Sequence, residues 1–121
     1  MAVNILVAEN DLATRCLLKA YLEKNQFNVT VAHNEESFFT HFFNLDTEFS
    51  VVILDIMLKD TDGFSLRNLV RLNSTVPIIM LTNGVDVFLK PDVRNTLDFF
   101  ISRPFNPADL LTLIGQICSK N

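Results

Sequence analysis

The sequence predicts a doubly wound α/β protein: a five-stranded parallel sheet with about five helices on its two faces, one domain over residues 1–121. Three observations carry that expectation. Short apolar runs alternate with longer segments of helical spacing along the whole chain. Two of these runs, Ser50 to Ile56 and Val76 to Thr82, are apolar almost throughout, as strands covered on both faces are. The regular alternation also leaves no room for hairpins, which implies right-handed crossovers between parallel strands.

In chain order, Val3 to Ala8 reads as the first strand, and Leu12 to Lys24 as a helix with Leu12, Cys16, Leu17, Ala20 and Tyr21 on helical spacing. Phe27 to Ala32 alternates as a strand with Phe27, Val29 and Val31 on one face. Asn34-Glu35-Glu36 then opens a helix carrying Phe38, Phe39, Phe42 and Phe43, a stripe read as core packing with room for one exposed ring. The central strand from Ser50 is followed by a helix over Phe64 to Leu72, and the next from Val76 by the weakest segment, Gly84 to Asn95. Pro91 there removes a backbone donor and clashes with the preceding turn, at about 3 kcal/mol in a helix interior, so a short or kinked helix is expected. Leu97 to Ser102 is the last strand. Asn106-Pro107 opens a closing helix with Leu110, Leu111, Leu113, Ile114 and Ile117 on its apolar side.

Composition narrows the function classes. At 121 residues and 49% hydrophobic the chain buries enough surface to fold without disulfide or metal. Cys16 and Cys118 match no metal-ligand spacing and are expected to be reduced and mostly buried. Acidic residues outnumber basic ones, 14 to 10, with no basic cluster, which argues against direct nucleic-acid binding. No apolar run approaches the roughly 20 residues of a membrane span, and no leader pattern opens the chain, so a cytoplasmic location is expected. There is no Gly-rich phosphate loop.

The chemistry gathers at strand ends. Glu9, Asn10 and Asp11 follow the first apolar run, Asp55 ends the third, Thr82 ends the fourth, and Arg103 stands just before Pro104 after the fifth. Carboxylates, a hydroxyl and a cation in this arrangement suit phosphoryl transfer to a carboxylate, whose transition-state charge must be offset by cationic donors. Mg²⁺ suits such a site, since it binds through one or two carboxylates plus phosphate oxygens.

Over its whole length, from Ile5-Leu6-Val7-Ala8-Glu9-Asn10-Asp11 through Leu54-Asp55-Ile56-Met57-Leu58 and Asp62-Gly63 to Arg103-Pro104-Phe105, the chain resembles the receiver domain of two-component response regulators. A flavodoxin-like strand order, 2-1-3-4-5, is the known order for doubly wound sheets of five such units, receivers among them, with ligands outside the carboxyl ends of the first and third strands. The resemblance implies Asp55 as phospho-acceptor, Glu9 as an acid of the metal site, Thr82 as the switch hydroxyl and Phe100 as the switch aromatic. It also implies a backbone carbonyl of Met57 toward Mg²⁺. The implied partners are a histidine kinase or histidine phosphotransfer protein and an effector domain or output protein. The implied role is not that of an enzyme beyond self-catalysed phosphorylation and dephosphorylation.

Two positions depart from the family pattern. Asn10 stands where the family has its second acid, a direct metal ligand, and offers only a neutral amide oxygen. Arg103 stands where the family has Lys; it keeps the charge but is longer, planar and not interchangeable with a compact ammonium. Provided Asp11 points away, the site holds two carboxylates and one cation, and weak Mg²⁺ binding is expected. Both departures keep open a pseudo-receiver that signals by protein interaction without phosphorylation. A flavin or nucleotide binder is disfavoured, because Ala8-Glu9-Asn10-Asp11-Leu12 would repel phosphate. A phosphatase would need a second acid in reach, which Met57 and Lys59 do not supply. Lys59, His33 and His41 read as solvated.

Overall fold

A computed structural model describes residues 3–83 and 97–119. The expected segment Gly84 to Asn95 lies outside them. The elements are β1 (Asn4–Ala8), α1 (Leu12–Lys24), β2 (Asn28–Ala32), α2 (Glu35–Phe42), β3 (Val51–Asp55), α3 (Gly63–Asn73), β4 (Ile78–Thr82), β5 (Asp98–Ser102) and α4 (Pro107–Ser119). The strands form one parallel sheet in the order β2-β1-β3-β4-β5, and four helices fall among the described residues.

Alternation along the strands builds two cores rather than one. Leu6, Val52, Leu54, Ile78 and Met80 point to the side covered by α2 and α3, where Phe38, Phe64, Leu66 and Val70 meet them. Their neighbours Ile5, Val7, Val51, Ile53, Ile79 and Leu81 point the other way, onto Leu18 and Leu22 of α1 and Leu110, Ile114 and Ile117 of α4. Every residue of β3 and β4 is buried, which is why both runs read as continuously apolar. On α2, Phe38 is fully buried, Phe39 and Phe42 pack partly against the core, and Phe43 is 51% exposed. The rings stack along the helix, Phe38 on Phe42 at 5.8 Å and Phe39 on Phe43 at 5.5 Å between centroids.

The apolar face expected for α1 is corrected. Leu12, Cys16, Leu17 and Ala20 are exposed, and the helix buries the adjoining row, Leu18 and Leu22, with Tyr21 at its margin. In this rotation Arg15 Nη1 donates to the carbonyls of Glu9 and Asn10, both at 3.0 Å, tying the first turn to the β1 end. Cys16 is therefore exposed rather than buried, and Cys118 is half-buried at the edge of a core. The helix stops in a Schellman turn. The N–H groups of Gln26 and Phe27 donate to the carbonyls of Glu23 and Leu22, with Gln26 in the left-handed region at φ 76°.

Candidate functional site

Register brings the acids together. Ala8 of β1 pairs with Leu54 of β3, so the next residues, Glu9 and Asp55, emerge side by side at the carboxyl end of the sheet. Both are nearly fully buried, Glu9 at 2% and Asp55 at 5% exposure. On the other side Asp55 pairs with Leu81, one residue before Thr82, which is also buried. The chain leaving β5 returns to this end because the Arg103 N–H donates to the Thr82 carbonyl at 2.8 Å. The Arg103-Pro104 peptide is cis.

Arg103 closes the pocket. Its Nη2 lies 2.7 Å from Asp55 Oδ2 and 3.2 Å from Glu9 Oε1, so one guanidinium nitrogen bridges both carboxylates. Its Nη1 reaches Asn83 Oδ1 at 3.5 Å, and Asn83 Nδ2 lies 3.6 Å from Met57 Sδ. The other Asp55 oxygen, Oδ1, accepts the Met57 N–H at 2.9 Å. The Asn83 contacts were not anticipated from sequence, since nothing in an Asn after a strand distinguishes it from an ordinary loop residue.

The electrostatics follow from burial. Glu9 is pushed from 4.5 up to about 7, first by desolvation and then by its hydrogen bond and charge repulsion with Asp55, against the lowering effects of the Asp11 backbone N–H and Arg103. The same carboxylates, bonded to the guanidinium, hold Arg103 firmly in its charged form in spite of its own desolvation.

The Asp11 N–H donates to Glu9 Oε2 at 3.2 Å, but neither the Asn10 nor the Asp11 side chain joins this cluster. Asn10 is exposed and its backbone carbonyl is taken by Arg15. Asp11 points away, as the charge count required: it caps α1, accepting the Thr14 N–H at 2.9 Å and the Thr14 hydroxyl at 2.7 Å, which lower its pKa. Phe100 is half-buried in β5 against the core on the α2 and α3 side. Met57 is 64% exposed, its sulfur 3.6 Å from Asn83 Nδ2.

For Mg²⁺ the carboxylates brought together are those of Glu9 and Asp55. As they stand both are engaged by the Arg103 guanidinium. Among the described residues no group of three or more His, Cys, Asp or Glu could hold a metal, and the two carboxylates already share a cation. Mg²⁺ demands near-octahedral oxygens at about 2.0–2.1 Å.

A parallel 2-1-3-4-5 sheet with acids ending its first and third strands, a hydroxyl ending the fourth and a cation after the fifth defines a receiver domain. The sequence matches the response regulator receiver domain over residues 5–115, and the chain belongs to that family. It is 29% identical over 121 residues to the transcriptional regulatory protein SrrA of Staphylococcus aureus. That match covers 99% of this chain and 49% of the relative, so the chain spans about half the length of such curated relatives. Among solved structures it resembles a two-component response regulator from Clostridium difficile (TM-score 0.85, 23% identity, 97% of this chain and 96% of that one). It likewise resembles the chemotaxis protein CheY4 of Vibrio cholerae (TM-score 0.83, 21% identity, 97% and 99%). These likenesses speak for the fold alone.

Proposed function

We propose that the domain accepts a phosphoryl group on Asp55 from the phosphohistidine of a histidine kinase or histidine phosphotransfer protein. The observation that supports this best is the placement of Asp55 at a strand end, buried beside Glu9 and bonded to Arg103. A carboxylate oxygen of Asp55 attacks phosphorus as the P–N bond of phosphohistidine breaks, and the imidazole nitrogen leaves with the bonding pair. Arg103 moves from the carboxylate onto the phosphoryl oxygens, for which its planar fork is suited. The added charge of about −1.5 to −2 draws Thr82 toward it, and Phe100 packs inward behind, changing the surface offered to an effector domain or output protein. The domain turns over no separate substrate in this role.

Intact-mass analysis after incubation with phosphoramidate, with and without Mg²⁺, tests the reading. Wild type should gain one phosphate and Asp55→Asn none. The bridging Arg103 and the neutral Asn10 favour a second reading, a pseudo-receiver that works by binding alone. A wild type that stays unmodified under conditions that load an ordinary receiver selects it.

A further inference from the structure

We propose that Arg103 is the resident counter-cation of the acidic pocket and that Mg²⁺ competes with it for the same two carboxylates, Glu9 and Asp55. The inference takes the identity of the competing ion from the receiver reading, but not the phosphorylation of Asp55.

The geometry sets the conflict. One nitrogen, Nη2, contacts Asp55 Oδ2 at 2.7 Å and Glu9 Oε1 at 3.2 Å, while the second oxygen of each acid accepts a backbone N–H, from Met57 and Asp11. The arginine is also fixed at two other points, through its N–H on the Thr82 carbonyl and through Nη1 on Asn83. It cannot yield by losing a proton, as a buried lysine can.

Charge balance argues the same way. With Asn10 neutral and Asp11 committed to capping α1, the pocket sets two acids against one guanidinium. A divalent ion added to that set would face a like charge within contact distance. With the guanidinium gone, two carboxylates would match it. The Arg103 and Asn10 departures are therefore one coupled change: removing an acid leaves two carboxylates, both of which a single arginine can reach.

The experiment titrates Mg²⁺ by calorimetry, and follows melting in EDTA and in Mg²⁺, for wild type, Arg103→Met, Arg103→Lys and the double variant Glu9→Gln/Arg103→Met. Arg103→Met should bind Mg²⁺ about tenfold tighter than wild type or better. Its melting temperature should drop in EDTA and recover in Mg²⁺, because the metal then pairs the abandoned carboxylates. Arg103→Lys, whose single ammonium cannot fork, should fall between the two and serves where Arg103→Met does not fold. The double variant should lose the gain. Equal Mg²⁺ affinity in wild type and both single variants overturns the proposal, as does a gain that survives Glu9→Gln. Because these readouts are metal binding and melting, a failure here is separate from a failure of Asp55 to take phosphate.

Discussion

Gly63 lies directly against the backbone of Asp55. A Cβ built on Gly63 would collide with the Asp55 carbonyl oxygen and stand 2.9 Å from both the Asp55 carbonyl carbon and Ile56 Cα. The contact arises because the Gly63 N–H donates to the Ile56 carbonyl at 2.9 Å, folding the loop after β3 back onto the strand end. Space, rather than backbone conformation, is what requires glycine here, so Gly63→Ala must push α3 off β3. Overpacking of this kind costs about 1–3 kcal/mol. Urea unfolding should show a loss in that range; a variant as stable as wild type would contradict the close approach.

Asp98, at the start of β5, is held by two arginines of α3. Arg67 Nη2 lies 2.6 Å from Oδ2 and Arg71 Nη2 lies 2.8 Å from Oδ1, with the Asp98 side chain fully buried. Arg71 Nη1 also donates to the Ser74 and Val76 carbonyls, tying the loop before β4 to the same cluster. Removing one partner of a buried set strands the other charges, typically at 3–5 kcal/mol. Asp98→Asn should therefore lower stability by about that much in urea titration, and an effect below about 1 kcal/mol would show the cluster to be solvated.

An acid engaged by two arginines of its own chain is not offered to a second copy. Sedimentation with and without beryllofluoride should accordingly show no dimer that depends on Asp98. The variant Arg71→Lys, which keeps a cation on the acid, should sediment like wild type. A dimer lost in that variant would count against this expectation.

The strands and the residues that end them were legible because burial on both faces writes itself as an unbroken apolar run, which a polar side chain closes, whereas the order of the strands came from the family resemblance. Asp55 and Glu9 close such runs with a charge and Thr82 with a hydroxyl, and Arg103 is marked by its place before Pro104 in the family pattern. The Asp98 cluster was not legible. Arg67 and Arg71 are spaced like an ordinary solvated helix row, and their partner lies 31 and 27 residues away. The buried row of α1 differs from the expected one for a related reason: two apolar rows exist, and only the packing against the sheet distinguishes Leu18 and Leu22 from Leu12, Cys16 and Leu17. That Arg103 bridges both acids depends on loop geometry, which residue identity alone does not give.

Gln26 occupies a position that favours glycine. Its φ of 76° closes the turn between α1 and β2, a conformation costing an L-residue roughly 1–2 kcal/mol, partly offset in glycine by greater chain entropy. Gln26→Gly should raise stability by about 0.5–1 kcal/mol with no change at the distant pocket. Equal or lower melting temperature would mean that the Gln26 side chain contributes contacts that compensate for the strain.

Glu9 gives stability a pH dependence with a definite sign. Its pKa is raised from 4.5 to about 7, chiefly by burial, so between those values the folded chain holds a proton that the unfolded chain has released. The contribution is complete below pH 4.5 and disappears as pH rises through about 7, so stability falls across that interval. Asp11 acts in the opposite sense and in another window: its lowered pKa supports the fold above 3.8 and that support is lost on further acidification. Replacing Glu9 by Gln supplies a permanently neutral side chain of the same shape, which mimics the protonated acid. Denaturant titrations from pH 5 to 8 should therefore show wild type losing stability while Glu9→Gln stays nearly flat. The two proteins should converge at the acid end and separate most at pH 8. Parallel curves would show that Arg103 keeps Glu9 ionised throughout, and that the bridge between the two carboxylates is a full ion triad at every pH in the range.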